Sequence, residues 1–89
     1  MEFPAVFTAA EEGGFVVTFR DIPEAITQGE DAEEAAAMAA DALASAMDFY
    51  IEDGRAVPSP SPQRPGEHLI ALPDDLTQRI HTLNEALAK

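Results

Sequence analysis

The sequence contains no cysteine in its 89 residues. Disulfide bridges, thiolate metal ligands and cysteine nucleophiles are therefore excluded, and the composition fits a reducing cytoplasm. Long apolar runs are also absent, because no stretch reaches the length of about 18 apolar residues that a membrane-spanning helix needs. The N-terminal residues lack the basic and apolar regions of a secretion signal. These absences predict a cytoplasmic protein that does not enter a membrane.

Basic residues are scarce: five Lys and Arg stand against 17 Asp and Glu, which gives a formal charge of −12. Residues 1–57 contain 13 of the acids and two arginines, whereas residues 58–89 contain four acids and three basic residues. A surface that binds nucleic-acid phosphates needs clustered Lys and Arg, so none is expected here. A one-sided negative field attracts a basic partner and speeds its association, although acidity also serves solubility alone.

Three short strands are predicted near the N-terminus. Alternating apolar side chains predict strands over residues 3–9 and 15–20, joined as an antiparallel hairpin by a Gly-Gly turn. Pro4 cannot donate a ladder hydrogen bond, so we expect this first strand to begin at an edge of the sheet or outside it. A third strand is predicted over residues 25–28, and Gly29 ends it.

A long helix is predicted next. Asp31 stands three residues before Glu34 in a variant of the capping box, and Gly54 after Asp53 is a typical left-handed cap. A stripe at helical spacing is expected to pack this helix on the sheet, and it consists of Ala35, Met38, Ala39, Ala42, Ala46 and Phe49. The aromatic residues expected in the core are Phe15, Phe19, Phe49 and Tyr50.

The remaining third of the chain predicts a connector, a strand and a helix. Prolines between residues 58 and 66 favour an extended connector, and the apolar residues 68–72 predict a fourth strand. Asp74 is the predicted N-cap of a second, amphipathic helix. We expect its apolar stripe to drive formation of a dimer or higher oligomer, unless the chain continues in a parent protein; the stripe is Leu76, Ile80, Leu83 and Leu87.

Groups capable of catalysis or metal binding are few and unfavourably placed. His68 and His81 lie in different predicted elements, without acidic or histidine neighbours at ligand spacing. No glycine-rich phosphate loop precedes a helix. A two-metal nuclease needs carboxylates that converge from different elements, whereas the acids here lie mostly in turns. We therefore predict no catalytic residue, no cofactor, no metal ion and no enzyme activity.

Three blocks in fixed order carry a family resemblance. EGGFVVTF at residues 12–19, DIPEAITQGE at 21–30 and a helix ending in DFYIEDG at 48–54 resemble the HicB antitoxins of bacterial type II toxin–antitoxin systems. The resemblance implies an α+β, partial ribonuclease H-like fold with three antiparallel strands, a long helix, a fourth strand and a C-terminal helix. It also implies loss of the nuclease site, because Ala5, Val6 and Phe7 occupy the first-strand positions where ribonuclease H folds carry an aspartate.

The resemblance further implies that the protein neutralises HicA, a small basic mRNA interferase, by masking its catalytic histidine or its RNA surface. Residues 1–72 are expected to form the toxin-binding domain. Residues 73–89 are expected to begin a dimerisation and DNA-binding domain that represses the operon. Operator binding is not assigned to this chain, because it stops where such a domain begins.

Turns and strand edges are where acids reach the basic side chains of a partner. The toxin contacts predicted on this ground are Glu11, Glu12, Asp21, Glu24, Gln28 and Glu30. Each of them is equally compatible with an ordinary solvated side chain. Two other functions stay open: a residual metal-dependent ribonuclease of ribonuclease H-like fold, and a scaffold that associates through its C-terminal helix.

Overall fold

The computed structural model describes residues 1–88, which form four strands and two helices. In chain order these are β1 (Glu2–Ala9), β2 (Phe15–Phe19), β3 (Ile26–Gly29), α1 (Ala32–Asp53), β4 (His68–Ala71) and α2 (Asp74–Leu87). The strands form one sheet in the order β3-β2-β1-β4, and each neighbouring pair is antiparallel. The predicted α+β class and the predicted order of elements are confirmed.

The hairpin between β1 and β2 follows from its two glycines. Ala9 pairs with Phe15, so residues 10–14 make the turn. Gly13 and Gly14 have φ angles of 100° and 75°, a left-handed region that glycine adopts readily because it has no Cβ. The predicted hairpin and its glycine turn are both confirmed.

Pro4 lies in an interior strand of the sheet, where it pairs with Leu69 of β4. The hydrogen bonds of an antiparallel pair alternate along the strand. Because the Ala10 N–H donates to the Gly14 carbonyl, the even-numbered residues of β1 direct their backbone groups toward β2. Pro4 therefore faces the side on which β2 has already ended at Phe19, and its missing N–H breaks no ladder bond. The prediction concerned the start of β1: there Pro4 has β4 on one side and no partner strand on the side that it faces, although β1 as a whole is an interior strand.

Both ends of α1 are capped. Asp31 Oδ1 accepts from the Glu34 N–H at 2.8 Å, as the capping pattern predicted. The Glu34 carboxylate accepts from the Glu30 N–H at 3.1 Å instead of the Asp31 N–H, so the box is displaced by one residue. Gly54 ends the helix with φ 66°, and its N–H donates to the Ile51 carbonyl at 3.2 Å.

The hydrophobic core lies between the sheet and the helices. The buried side chains of α1 are Ala35, Ala39, Leu43, Ala46, Met47 and Tyr50. The strands and the β2–β3 loop contribute mainly Phe3, Ala5, Val17, Phe19, Ile22 and Ile70. Small alanines at the start of the buried face of α1 let the helix backbone lie close to the sheet.

The predicted packing stripe of α1 was partly wrong. Met38 is 37% exposed, Ala42 is half-buried and Phe49 is 62% exposed. The buried face is turned toward Leu43 and Met47, because α1 packs on α2 as well as on the sheet. Among the aromatic residues expected in the core, two are buried, one is half-buried and one is exposed: Phe19, Tyr50, Phe15 and Phe49, respectively.

The start of α2 differs from the prediction. Asp74 is the first helical residue, and Pro73 occupies the cap position without a side-chain hydrogen bond. The Thr77 N–H donates to the Pro73 carbonyl at 3.0 Å, so the first turn opens from the proline and the predicted Asp74 cap was wrong. Further along, the Asn84 amide exchanges two hydrogen bonds of 2.9 Å with the backbone of Val57 and fixes α2 to the segment after α1.

Half of the apolar stripe of α2 is buried within this chain. Leu76 is 6% exposed and Ile80 is 0% exposed, and both belong to the core described above. These two side chains are therefore not free to contact a second copy. The other two residues of the stripe stay accessible to different extents: Leu83 is half-buried and Leu87 is 47% exposed. Oligomerisation through the stripe stays a prediction.

An ion pair ties the proline-rich connector to the sheet. The Arg20 guanidinium donates to both carboxylate oxygens of Glu67 at 2.7 and 2.9 Å. The Arg64 N–H donates to the same carboxylate at 2.7 Å. These hydrogen bonds lower the pKa of Glu67 to about 2, and the bond from Arg20 is the largest cause. The same bond raises the pKa of Arg20.

Replacing Glu67 with Gln is expected to lower the free energy of unfolding near pH 7, because Arg20 loses its charged partner. The folded pKa of about 2 lies below the unfolded value of 4.5. The contribution of the carboxylate is therefore full above pH 4.5 and disappears as the pH falls toward 2. Urea titrations of both proteins near neutral pH and in strong acid measure this difference. It should shrink in acid, and an exposed control, Glu85→Gln, should change little; a difference independent of pH contradicts the assignment.

Candidate partner-binding surface

Four of the six predicted contact residues lie at one end of the sheet. Phe15 pairs with Gly29, so the β1–β2 turn lies beside the end of β3 and the start of α1. We call the predicted residues at this end the turn-end cluster, which comprises Glu11, Glu12, Gln28 and Glu30. All four side chains belong to exposed residues.

Two glycines bring these segments together. A Cβ atom added to Gly29 would lie 2.3 Å from the backbone nitrogen of Ala35, so only glycine lets β3 pass this close to α1. A Cβ atom added to Gly14 would lie 2.3 Å from the Gly29 carbonyl oxygen. The turn, the strand and the first turn of the helix therefore meet backbone to backbone, and their side chains project around the contact.

An open hollow of about 370 Å³ lies at this contact. Its polar rim is formed by Glu12, Gln28, Glu30 and Glu34. Neither lysine nor arginine lines it, and apolar atoms of Phe15 and Val16 form part of its wall. The carboxylates of Glu12 and Glu30 make no hydrogen bond or ion pair with any residue in the range 1–88. The hollow is thus a negative recess in which the Glu12 and Glu30 carboxylates are available to a cation.

Asp21 lies at the opposite end of β2, and its carboxylate is engaged within the chain. One oxygen accepts from the Ser61 N–H at 2.8 Å, and the other accepts from the Ser61 hydroxyl. Together with the Arg20–Glu67 pair, this contact holds the connector against the end of β2. The structure does not bring Asp21 near the turn-end cluster.

Glu24 lies at the same end as Asp21 and is also engaged. Its carboxylate accepts from the Tyr50 hydroxyl at 2.9 Å and from Arg55 at 3.2 Å, while the Arg55 guanidinium lies 4.2 Å from the centre of the Tyr50 ring. The hydrogen bond from the backbone N–H of Glu24 itself is the largest cause that lowers the pKa of its carboxyl group, and the hydrogen bond from the Tyr50 hydroxyl is the next. Burial is the largest cause that raises the pKa of Tyr50, and its hydrogen bond to the Glu24 carboxylate raises the pKa further. This cluster fixes the β2–β3 loop to the end of α1.

The sequence reasoning missed an apolar surface between β3 and the exposed face of α1. Ile26 is 63% exposed and Phe49 is 62% exposed. Between them lies an open hollow of about 310 Å³ whose floor includes Ala42 and Ala46. The available signal was that α1 carries apolar residues over more than one face, which exceeds what a single packing contact needs.

The histidines take up unrelated positions. The His68 ring lies 4.6 Å from the Phe7 ring, and His81 is exposed on α2. Among residues 1–88, no group of three or more His, Asp and Glu side chains is placed to hold a metal ion. In the same range, neither helix has the length and hydrophobicity required to cross a bilayer.

Comparison with known proteins adds a family match. A family model described as the HicB-like antitoxin of bacterial toxin–antitoxin systems matches residues 2–79. The chain is 46% identical over 87 residues to Antitoxin HicB of Escherichia coli strain K12, a region that covers 98% of this chain and 63% of that protein. Antitoxin HicB 1 and Antitoxin HicB 2 of Photorhabdus laumondii are 42% and 45% identical over 87 residues. The match again covers 98% of this chain, but only 55% and 60% of those proteins.

The close approach at Gly29 gives a test of how this end of the sheet is built. Gly29→Ala forces β3 and α1 apart and should lower the free energy of unfolding by about 2 kcal/mol or more. Gly13→Ala is the matched control: it meets no atom within 4 Å, and only its φ of 100° is strained, so it should cost about 1 kcal/mol. Urea denaturation measures both. Equal losses for the two variants would show that the contact with Ala35 is not tight.

Proposed function

The chain belongs to the family of HicB-like antitoxins of bacterial toxin–antitoxin systems, and we propose that it neutralises a small basic HicA-type toxin by binding it. The observation that carries the proposal is the turn-end cluster, where residues predicted as contacts gather around a recess without a basic side chain. Membership of an antitoxin family favours a binding protein over an enzyme. We further propose a cytoplasmic site of action.

The predicted contact residues differ in whether their carboxylates are free to attract a cation. Carboxylates without an internal partner keep their full field, so they steer and bind a cationic surface more strongly than paired ones. Glu11, Glu12 and Glu30 are in this state within the described residues, whereas Asp21 and Glu24 are held by internal hydrogen bonds. We therefore assign toxin contact to the turn-end cluster, and assign the other two acids to holding the fold.

Operon repression and oligomerisation are further proposals for the whole protein. The chain spans between 55% and 63% of the length of the relatives compared above. In our proposal, operator binding belongs to sequence outside these residues, because the described surface lacks a cluster of Lys and Arg. Association of two copies is assigned to the exposed end of α2, where Leu87 lies. The division at residue 72 into a toxin-binding part and the start of another domain stays a prediction.

A triple neutralisation tests the proposed contact. Glu11→Gln, Glu12→Gln and Glu30→Gln together should weaken binding to a purified, catalytically inactive HicA-type toxin by roughly tenfold at low salt, because each solvent-exposed ion pair contributes about 0.2–1 kcal/mol. The difference should shrink as salt screens the charges. Isothermal titration calorimetry at two salt concentrations measures both effects.

The control variant has the same net charge as the triple variant above, but its substitutions are at other positions. Glu2→Gln, Asp75→Asn and Glu85→Gln remove three exposed acids that lie away from the turn-end cluster. They should change the affinity less than threefold, an effect of net charge alone. Equal weakening by the two triple variants would show that the turn-end cluster is not the toxin contact. Absence of any complex with the unmodified chain would overturn the proposed function itself.

A further inference from the structure

The sheet has an open edge at β3. In the strand order, β3 pairs with β2 on one side and with no strand of residues 1–88 on the other. Edge strands are normally protected by charged residues, prolines or bulges. The sequence of β3, Ile-Thr-Gln-Gly, has no charge and no proline, and its register with β2 is continuous. The strand is short, at four residues, and none of these three devices protects it.

The register identifies which backbone groups face the open edge. Since the even-numbered residues of β2 bond β1, its odd-numbered residues bond β3, through Phe15 with Gly29 and Val17 with Thr27. Ile26 and Gln28 therefore direct their N–H and C=O groups away from the sheet. Neither residue makes another backbone hydrogen bond within the described chain. An added strand would find two donors and two acceptors at this edge.

The apolar hollow between Ile26 and Phe49, which we call the groove, lies beside this edge. It is bounded by Ile26 on the strand and by Phe49 on the helix, with Ala42 and Ser45 between them. Side chains of an added strand alternate between the two faces of the sheet, so every second one would point toward α1. The small residues of the helix leave space there for one bulky apolar side chain, with Phe49 as its wall.

The acids beside this edge select the occupant. Glu12 and Glu30 line the recess at the Gln28 end of β3, and their carboxylates have no partner within residues 1–88. A second copy of the chain would bring its own acids against these, because each copy has a formal charge of −12. A segment that carries Lys or Arg is complementary to these acids.

We propose that an extended segment of the basic toxin adds to β3 as a fifth strand, with a bulky apolar side chain in the groove and flanking Lys or Arg residues against Glu12 and Glu30. This inference rests on the proposed function, because it takes its partner from there. The backbone groups of Ile26 and Gln28 supply the hydrogen bonds, Phe49 supplies the apolar contact, and the acids supply the charge.

A proline at the edge tests the backbone contact. Gln28→Pro removes one outward N–H and no ladder bond of β3, and Gln28→Ala is the matched control that loses the same side chain but keeps the N–H. Against the inactive toxin, Gln28→Pro should bind roughly fivefold to tenfold more weakly than Gln28→Ala, the value of about one hydrogen bond. Equal affinities of the two variants would overturn strand addition. Circular dichroism and urea denaturation show that each variant is folded.

The groove is tested separately. Phe49→Ala should weaken binding at least tenfold, because it removes the wall against which the partner side chain packs. Leu69→Ala, which changes another exposed apolar residue on β4, should bind like the unmodified chain. Hydrogen exchange measured by NMR gives a direct readout: the Ile26 and Gln28 amides should exchange rapidly in the free chain and slowly in the complex.

The outcomes separate this inference from the proposed function. If the unmodified chain binds the toxin but Phe49→Ala and Gln28→Pro bind equally well, strand addition is wrong and toxin binding stands. If the outward amides exchange as fast in the complex as in the free chain, strand addition is wrong even where an affinity changes. If the unmodified chain forms no complex, the proposed function fails first.

Discussion

The close contact between α1 and the sheet is the constraint on which the other features depend. Gly29 lies so close to the Ala35 backbone that a methyl group on Gly29 would overlap with it, and Ala35 and Ala39 are both fully buried. A larger residue at any of these positions would lift the helix from the sheet. The same contact places the acids of the turn next to the start of the helix. It also leaves the side of α1 that carries Phe49 exposed next to β3. Both the turn-end cluster and the groove therefore depend on this contact.

Local signals in the sequence were enough for most of the fold. The Gly13-Gly14 turn, the Asp31 cap and the Gly54 cap each fix a boundary through residues that are neighbours in the chain, and the structure has all three. The packing face of α1 was not predictable in this way. Alanines lie on every side of the helix, so the buried face depends on where α2 docks, and docking is a long-range property.

The same distinction applies to the candidate site. Turn acids were identified from the sequence as a class, but their state depends on residues far away in the chain. Asp21 is held by Ser61, which lies 40 residues later, and Glu24 is held by Tyr50 and Arg55. No spacing rule predicts such partners. The family was recognisable from the order of three motif blocks, whereas the open edge and its groove became visible only in three dimensions.

Charge alone does not make a durable complex of two small proteins. A negative surface accelerates encounter, but exposed ion pairs contribute little free energy and are screened by salt. Long residence requires contacts that exclude water, such as an apolar side chain in a pocket and backbone hydrogen bonds between strands. In this chain the acids without an internal partner lie at the Gln28 end of β3, while the exposed Phe49 lies near Ile26 at the other end of the same unpaired strand. A chain that holds a basic partner needs both kinds of surface, and here both lie along β3.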